Sequence, residues 1–501
     1  QRQMCIRDRL SSMYIQPPEM REYMASLIGN LREKPCARTR GLGTPLPWDT
    51  EWVIESLSDS TIYMAFYTIS HKLREIVKDP SMLGKSFWDY VMLGKGDPGS
   101  IARSLGIRRE DLEDLRNDFL YWYPLDLRVA GKDLANNHLL FFIMNHVAVF
   151  PRDLWPRAML IHGWVLREGR KMSKSLRNIL PVSRAVDLYG SDSVRIALST
   201  LSEEGQDLDF RHEAAVNIAE NIRRIYELLE RLVKMPVRED PSELDKVYAS
   251  RIVRSILRAD DALEKLRVRE AGIGIIYDVA NTLAEYIRRS DGAWKEILGI
   301  VRAWVIMLSI YAPHAAEEIW HSVLGEKSLV VRESFDREDL RRYIDRDLEL
   351  KHIYLRSLSE DLTEIISILR KKPSRVVIYT APQSEIEILR KSLEAQRKGE
   401  GIRPVMEAYL GKLGLGSRDE EALRIKRIFD HASSLSEDLA SMILEGAVIN
   451  EIDVIRSSLE TLREATGASA IEVYGSWDPS APDYRGKKKE AMPLRPGIYV
   501  E

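Results

Sequence analysis

From position 212 onward, Leu and Ile recur at i, i+3 and i+4 spacing through four long stretches, 214–233, 243–266, 271–289 and 294–311, with charges on the opposite faces. Stripes of that kind are buried only by packing helix on helix, so this part of the chain is a helical bundle. The sequence before it has a different grain. Short apolar runs end at glycines, 126–130 before Gly131 and 158–166 around Gly163, which is the look of buried parallel strands in an α/β fold. The sequence after it alternates both patterns. Helices are expected over 348–371, 385–398, 405–413, 420–429 and 452–466, and strands over 376–380, 470–473 and 497–500, giving a separate α+β unit. At 501 residues the chain is too long for one ordinary core. The expected divisions are 10–165, 166–211, 212–345 and 346–501. Residues 1–9 (QRQMCIRDR) show no periodicity and are set apart as non-native sequence, a segment without a place in the fold.

Within 10–165 the pattern predicts a helix over 10–34, interrupted at Pro17-Pro18, and a sharply turned loop over 36–48 fixed by Gly41, Gly43, Pro45 and Pro47. The arginines of that loop could face phosphate or solvent. Residues 51–71 read as strand, turn and helix, with Asp59-Ser60 as N-cap. Tyr63 and Tyr67 then share one helical face, a core position for Tyr67. Residues 79–119 read as a connective insertion of short helices without chemistry of its own. Gly131 and Asp133 stand at the carboxyl end of the 126–130 strand, where ligands of open α/β sheets bind. There a glycine allows close approach and an acid can take a ribose diol. Capping of the following helix, 134–149, explains Asp133 equally well. His138, one turn further on, reads as a structural imidazole or as one near a substrate.

The densest charge signal is the run Gly169-Arg170-Lys171-Met172-Ser173-Lys174-Ser175. Two lysines three apart, with small hydroxyl residues between and after them, make a cationic finger. It suits a site where negative charge builds on a phosphate and leaves with pyrophosphate. Most short Lys/Ser clusters are solvated turns, but KMSKS arises by chance only about 10^-4 times in a chain of this length. A net charge of -3 neither advertises nor excludes nucleic-acid binding, which depends on local basic faces. Lys371, Lys372, Arg375 and Lys487-Lys488-Lys489 are the candidates for such a face in the last unit. Two cysteines, Cys5 and Cys36, rule out a disulfide framework or a Cys-based zinc site and fit a reducing, cytoplasmic setting. No apolar run approaches the ~20 residues of a membrane span, and no metal site is expected.

KMSKS is also the signature loop of class I aminoacyl-tRNA synthetases. The run Ala312-Pro313-His314, followed by Glu317-Glu318 and Trp320, resembles the anticodon-domain marker of subclass Ia. The 36–48 loop, the block from Trp122-Tyr123-Pro124 to His138, and the ending from Lys487 to Glu501 are similar to leucyl-tRNA synthetases of the archaeal and eukaryotic-cytosolic type. The resemblance runs from about Met13 to Glu501, the latter taken as a genuine chain end. It implies the second half of a Rossmann-like nucleotide fold with an insertion (10–165), the KMSKS loop and stem-contact fold with its acidic Asp207-Leu208-Asp209-Phe210 (166–211), an anticodon-binding helical bundle (212–345), and a tRNA-contacting α+β domain (346–501).

By the same resemblance the reaction is activation of leucine by ATP with Mg²⁺, then transfer to tRNA(Leu), in a full enzyme that is monomeric. Lys171 and Lys174 close over the departing phosphates, Ser173 and Ser175 keep the loop short, and Met172, Gly131, Asp133, His162 and Gly163 contact ATP. Ser60, Tyr63 and His138 line the leucine pocket. One departure matters. No H-x-G-H motif, which the family places at a phosphate-binding helix N-terminus, occurs in this chain, and the family's editing domain is missing. The chain therefore reads as a C-terminal part, inactive alone. The alternatives are specificity for isoleucine, valine or methionine, or a non-catalytic tRNA-binding subunit of a split synthetase.

Overall fold

The computed structural model describes residues 2–29, 35–369, 373–414 and 417–501, in two compact units. The first holds Gln1–Leu229, Ile256–Ala280 and Trp304–Glu333; the second holds Glu230–Ser255, Asn281–Ala303 and Ser334–Glu501.

At the centre of the first unit is a three-stranded parallel sheet. Ala158–His162 lies between Tyr14–Gln16 and Leu127–Gly131, with Gly131 opposite His162 at the carboxyl ends. Ile15, Ala130, Met159 and Ile161 point to one face and are buried with Leu139, Phe142 and Ile143. Helix Arg2–Ser12 belongs to the same core: Ile6 and Leu10 are each 1% exposed, and the Arg9 guanidinium donates to the Pro156 carbonyl. The segment 1–9 was expected to have no place in the fold; its described residues, 2–9, are part of this helix. The single turn of apolar residues they contribute is too short to show periodicity, yet it covers the sheet. The strand Tyr14–Gln16 was hidden for the same reason, being three residues long where alternation needs more.

Further differences are local. Residues 36–48 are not loop alone: Ala37–Arg38 and Pro45–Leu46 flank Asp49–Ile54 in a small antiparallel sheet. The cap of the next helix is Glu55, accepting from Leu57 N, so Asp59-Ser60 lies inside helix Ser56–Ser60. Tyr67 is 65% exposed rather than in the core, touching Tyr63 edge-on at 4.9 Å. Residues 79–119 do form helices, Lys85–Leu93, Pro98–Leu105 and Arg109–Trp122, around their own core of Phe87, Val91, Leu112, Leu115 and Phe119.

The apolar run 158–166 is two strands instead of one. It breaks at Gly163-Trp164, and Val165–Arg167 joins a second sheet between Arg170–Lys171 and Leu208–Phe210. After that sheet's loop, helix Val182–Tyr189 starts behind Pro181 without a side-chain cap. The marker at 312–320 has a structural explanation. Asp192, 7% exposed, accepts from Ala315 N at 2.8 Å and from His314 Nδ1 at 2.9 Å, fixing the start of helix Pro313–Glu318.

The helices expected from the 3.6-residue repeat are present as His212–Val233, Glu243–Glu264, Val279–Arg289 and Lys295–Tyr311. Their apolar stripes are buried, as at Leu229, Ile252, Leu283 and Val301. The 271–289 stretch is not one α-helix, because a π-turn at Gly274–Asp278 interrupts it. In the second unit, Arg375–Thr380 is the middle strand, parallel to Ala470–Gly475 and antiparallel to Gly497–Val500. The expected 452–466 helix breaks at Ser458 into Glu451–Ser457 and Leu459–Thr466, and Glu437–Leu444 is an additional helix. Among the described residues no helix is long and apolar enough to cross a membrane.

Candidate functional site

The KMSKS run begins in the outgoing limb of a tight hairpin and continues as a loop. Strand Val165–Arg167 turns through Glu168 (φ 50°) and Gly169 (φ 73°) into Arg170–Lys171, with both turn residues left-handed as a two-residue hairpin turn requires. Beyond it the loop is held from inside. Asn178 accepts from Ser173 N at 2.9 Å through Oδ1 and donates to the Lys171 carbonyl at 3.0 Å through Nδ2. Ser173 Oγ lies 3.1 Å from Ser175 Oγ and accepts from Leu176 N at 3.2 Å. With its backbone tied down this way, the exposed Lys174 can point outward. Lys171 is engaged differently: its ammonium stands 4.7 Å over the Trp164 ring, a cation–π contact.

Two carboxylates brace the hairpin, Asp209 from strand Leu208–Phe210 and Asp207 from just before it. Asp209 accepts from Gly169 N at 2.7 Å and from Arg211, bonds that hold it below the usual carboxylate range. Asp207 accepts from Trp164 N at 2.8 Å and pairs with Lys132 Nζ at 2.6 Å, and Lys132 is the first cause of its lowered pKa. Lys132 is the middle residue of Gly131-x-Asp133. A chain of contacts, Lys132 to Asp207 to Trp164 to Lys171, therefore links that turn to the KMSKS loop. The sequence marks Asp207 and Asp209 only as part of an acidic run and gives no bracing role to Asn178 or Trp164, because no pattern signals these bonds.

Asp133 is exposed and makes no cap for the turns that follow, so capping does not explain it. A Cβ on Gly131 would come within 2.6 Å of Asp133 Oδ1. The space beside Gly131 is thus occupied by the acid two residues on. His162 is exposed, with Nδ1 2.9 Å from the Gly163 carbonyl. At Gly163 a Cβ would lie 2.0 Å from the Gln206 carbonyl oxygen, so close packing on the 206–207 backbone requires the glycine whatever else approaches it.

Ser60 and His138, 78 positions apart, meet: Ser60 Oγ is 3.2 Å from His138 Nδ1. Arg128 Nη2 is 2.9 Å from His138 Nε2. A guanidinium only donates, so Nε2 accepts, the ring is neutral and Nδ1–H donates to Ser60. Burial first, and the Arg128 charge second, lower the His138 pKa and favour the same neutral form. The Ser60 hydroxyl keeps its own proton to give. Tyr63, half-buried, begins the next helix after Ser60–Thr61. The imidazole is buried, 7% exposed, with both ring nitrogens bonded inside the protein. Among the described residues no group of three or more His, Cys, Asp or Glu could hold a metal ion.

Residues 112–233 match the family described as tRNA synthetases class I (M), and residues 245–388 match the anticodon-binding domain of tRNA ligase. Over 99% of its length the chain is 42% identical to a leucine–tRNA ligase of Pyrobaculum aerophilum, and 38% identical to leucine–tRNA ligase 2 of Sulfolobus acidocaldarius. Nearly the whole of this chain is thus similar to archaeal leucine–tRNA ligases. It spans about half the length of the curated relatives it matches, 50% and 52% in these two cases. Among solved structures, methionyl-tRNA synthetase of Mycobacterium tuberculosis with methionyl-adenylate is similar at 17% identity, covering 65% of this chain and 61% of that one, with a TM-score of 0.48.

The possible RNA-facing cations of the last unit divide on inspection. Lys371 and Lys372 lie outside the described residues. Arg375 is committed to Glu472 through two bonds of 2.8 and 2.9 Å and stacks on Tyr484. Lys487 pairs with Glu490, and Lys488 donates to the carbonyls of Asp478 and Ala481. These two lysines knit the chain end together.

Proposed function

We propose that this chain forms part of a leucine–tRNA ligase and carries the phosphate-facing side of its activation site. Leucine's carboxylate attacks the α-phosphorus of ATP, the bond to pyrophosphate breaks, and leucyl-adenylate forms; a ribose hydroxyl at the tRNA 3′ end then displaces AMP. Such chemistry is mostly positioning and charge stabilisation. Lys174 neutralises charge on the departing phosphates, and Lys171 does so from its seat on Trp164. Met172 lies in the same loop over the nucleotide. Asp133 takes the ribose diol, with Gly131 beside it, and His162-Gly163 border the adenine. Ser60, Tyr63 and His138 form the leucine pocket. Mg²⁺ arrives with ATP and screens its phosphates. The helices of 245–388 carry tRNA(Leu), and the full enzyme works as a cytoplasmic monomer.

The observation that carries this reading is the braced KMSKS hairpin, tied through Asp207 to the Gly131-x-Asp133 turn. The absence of H-x-G-H from the 501 residues sets the test. Purified alone, the chain catalyses no leucine-dependent ATP–pyrophosphate exchange. Supplied with the H-x-G-H-bearing part of a relative, it does. Steady exchange by the chain alone contradicts the proposal, as does exchange that responds to isoleucine, valine or methionine in place of leucine.

A further inference from the structure

In the second unit, helices Val279–Arg289, Arg346–Leu369 and Leu459–Thr466 enclose a half-open cavity of about 440 Å³. Arg289, Arg356, His352, Ser359, Thr461 and the acid Glu360 are among the side chains that line it. Its charge is lopsided. Three guanidiniums, Arg251, Arg289 and Arg356, converge on the single carboxylate of Glu285 at 3.2, 3.3 and 3.2 Å. Glu360, 3.0 Å from Arg356, is the only other acid bonded to the three by an ion pair among the described residues. Two acids leave the three cations under-neutralised, and guanidinium donors outnumber the acceptors facing them. His352 lines the same cavity with Nε2 buried and without a hydrogen-bond partner. Burial, then the Arg289 and Arg251 charges, push its pKa down, the mark of a positive local field. A buried orphan nitrogen costs free energy unless a ligand satisfies it.

We propose that this cavity seats one phosphate group on a ribose, taken from the backbone of an RNA. The guanidiniums supply paired donors of the geometry that phosphate oxygens accept. Ser359 and Thr461 add hydroxyls, and the cavity is half open to solvent. Residues 289 and 352–360 fall within the anticodon-binding match, whereas Ser458, Thr461 and Leu462 fall outside it. The seat is therefore built jointly by the matched helices and a later segment. The proposal rests on the reading of this chain as a tRNA-binding protein, and its test separates the two.

The experiment is salt-dependent binding of unfractionated tRNA to the 501-residue chain and to two variants, R289Q/R356Q and T461E. The second variant leaves the Glu285 cluster intact and places a carboxylate in the cavity. Each variant is expected to weaken binding about tenfold at 100 mM salt, and the double substitution to flatten the log Kd against log salt slope by about 1. R403Q, whose arginine pairs with Glu407 elsewhere on the surface, leaves both unchanged. Unaltered tRNA affinity and slope in a folded T461E overturn the seat while leaving tRNA binding standing. Absence of tRNA binding by the unsubstituted chain overturns both readings. Inorganic phosphate or AMP binding that T461E abolishes, with tRNA affinity unchanged, overturns the RNA source.

Discussion

At the scale of single residues, the strongest constraint in the molecule is a donor count. Arg128 cannot accept, so His138 Nε2 must, and the proton on Nδ1 is thereby directed at Ser60. In the unsubstituted chain, nitrogen NMR of histidine-labelled protein at pH 6.5 is expected to show His138 mainly as the neutral Nδ1–H tautomer, because burial and Arg128 lower its pKa. In Arg128→Met the imidazole loses the donor on Nε2 and a repelling charge. Its pKa is expected to rise and its tautomers to mix. A neutral Nε2–H ring in the unsubstituted chain would contradict the assignment.

Much of this site is legible in sequence only where its residues are contiguous. KMSKS is a run, and Ser173 and Ser175 hydrogen-bond within it, so its local geometry is written locally. Asn178 closes the loop from five positions away, while Asp207 and Asp209 reach Trp164 and Gly169 from 43 and 40 positions. No periodicity marks such bonds. The Ser60–His138 contact spans 78 positions and rests on no pattern at all. Gly163 shows the opposite hazard: its presence is explained by the Gln206 backbone 2.0 Å from its missing Cβ, so packing alone accounts for the residue.

At the scale of elements, long amphipathic helices were readable and two- or three-residue strands were not, because a period needs length to be seen. The break at Ser458 was missed because apolar spacing continues across it from Val454-Ile455 to Leu462. Helix Glu451–Ser457 also carries a pH-sensitive tie. Glu451 accepts from Tyr354 Oη at 2.8 Å and from Leu494 N at 2.9 Å, and burial raises its pKa to about 7. The folded chain therefore holds a proton that the unfolded chain releases near 4.5. Its contribution to stability is full below pH 4.5 and is lost as pH rises toward 7, by about 3 kcal/mol over that window. Urea unfolding followed between pH 4.5 and 7 is expected to show this decline in the unsubstituted chain and a flatter profile in Glu451→Gln. Identical slopes would place the proton elsewhere.

At the scale of the whole molecule, the chemistry is divided. The KMSKS hairpin, the Gly131-x-Asp133 turn and the Ser60–His138 pair all belong to the first unit. The second unit holds the arginine-lined cavity and the three-stranded sheet around Arg375–Thr380. The three-part grain of the sequence, strand-like, then helical, then mixed, survives in this arrangement. The two compact units cut across that grain, since residues 256–280 and 304–333 belong with the first unit although the helical repeat runs through them. Compactness follows tertiary contact, which a linear pattern cannot express.

The decisive measurement is leucine-dependent ATP–pyrophosphate exchange by the chain completed with an H-x-G-H-bearing part, with and without Lys174→Ala, alongside tRNA affinity. Loss of a single charge-stabilising donor from such a site costs about 10²- to 10³-fold in turnover. The expected result is a loss of that size with tRNA affinity within twofold of the unsubstituted protein. Exchange that proceeds at its full rate in Lys174→Ala would contradict the role of the KMSKS loop.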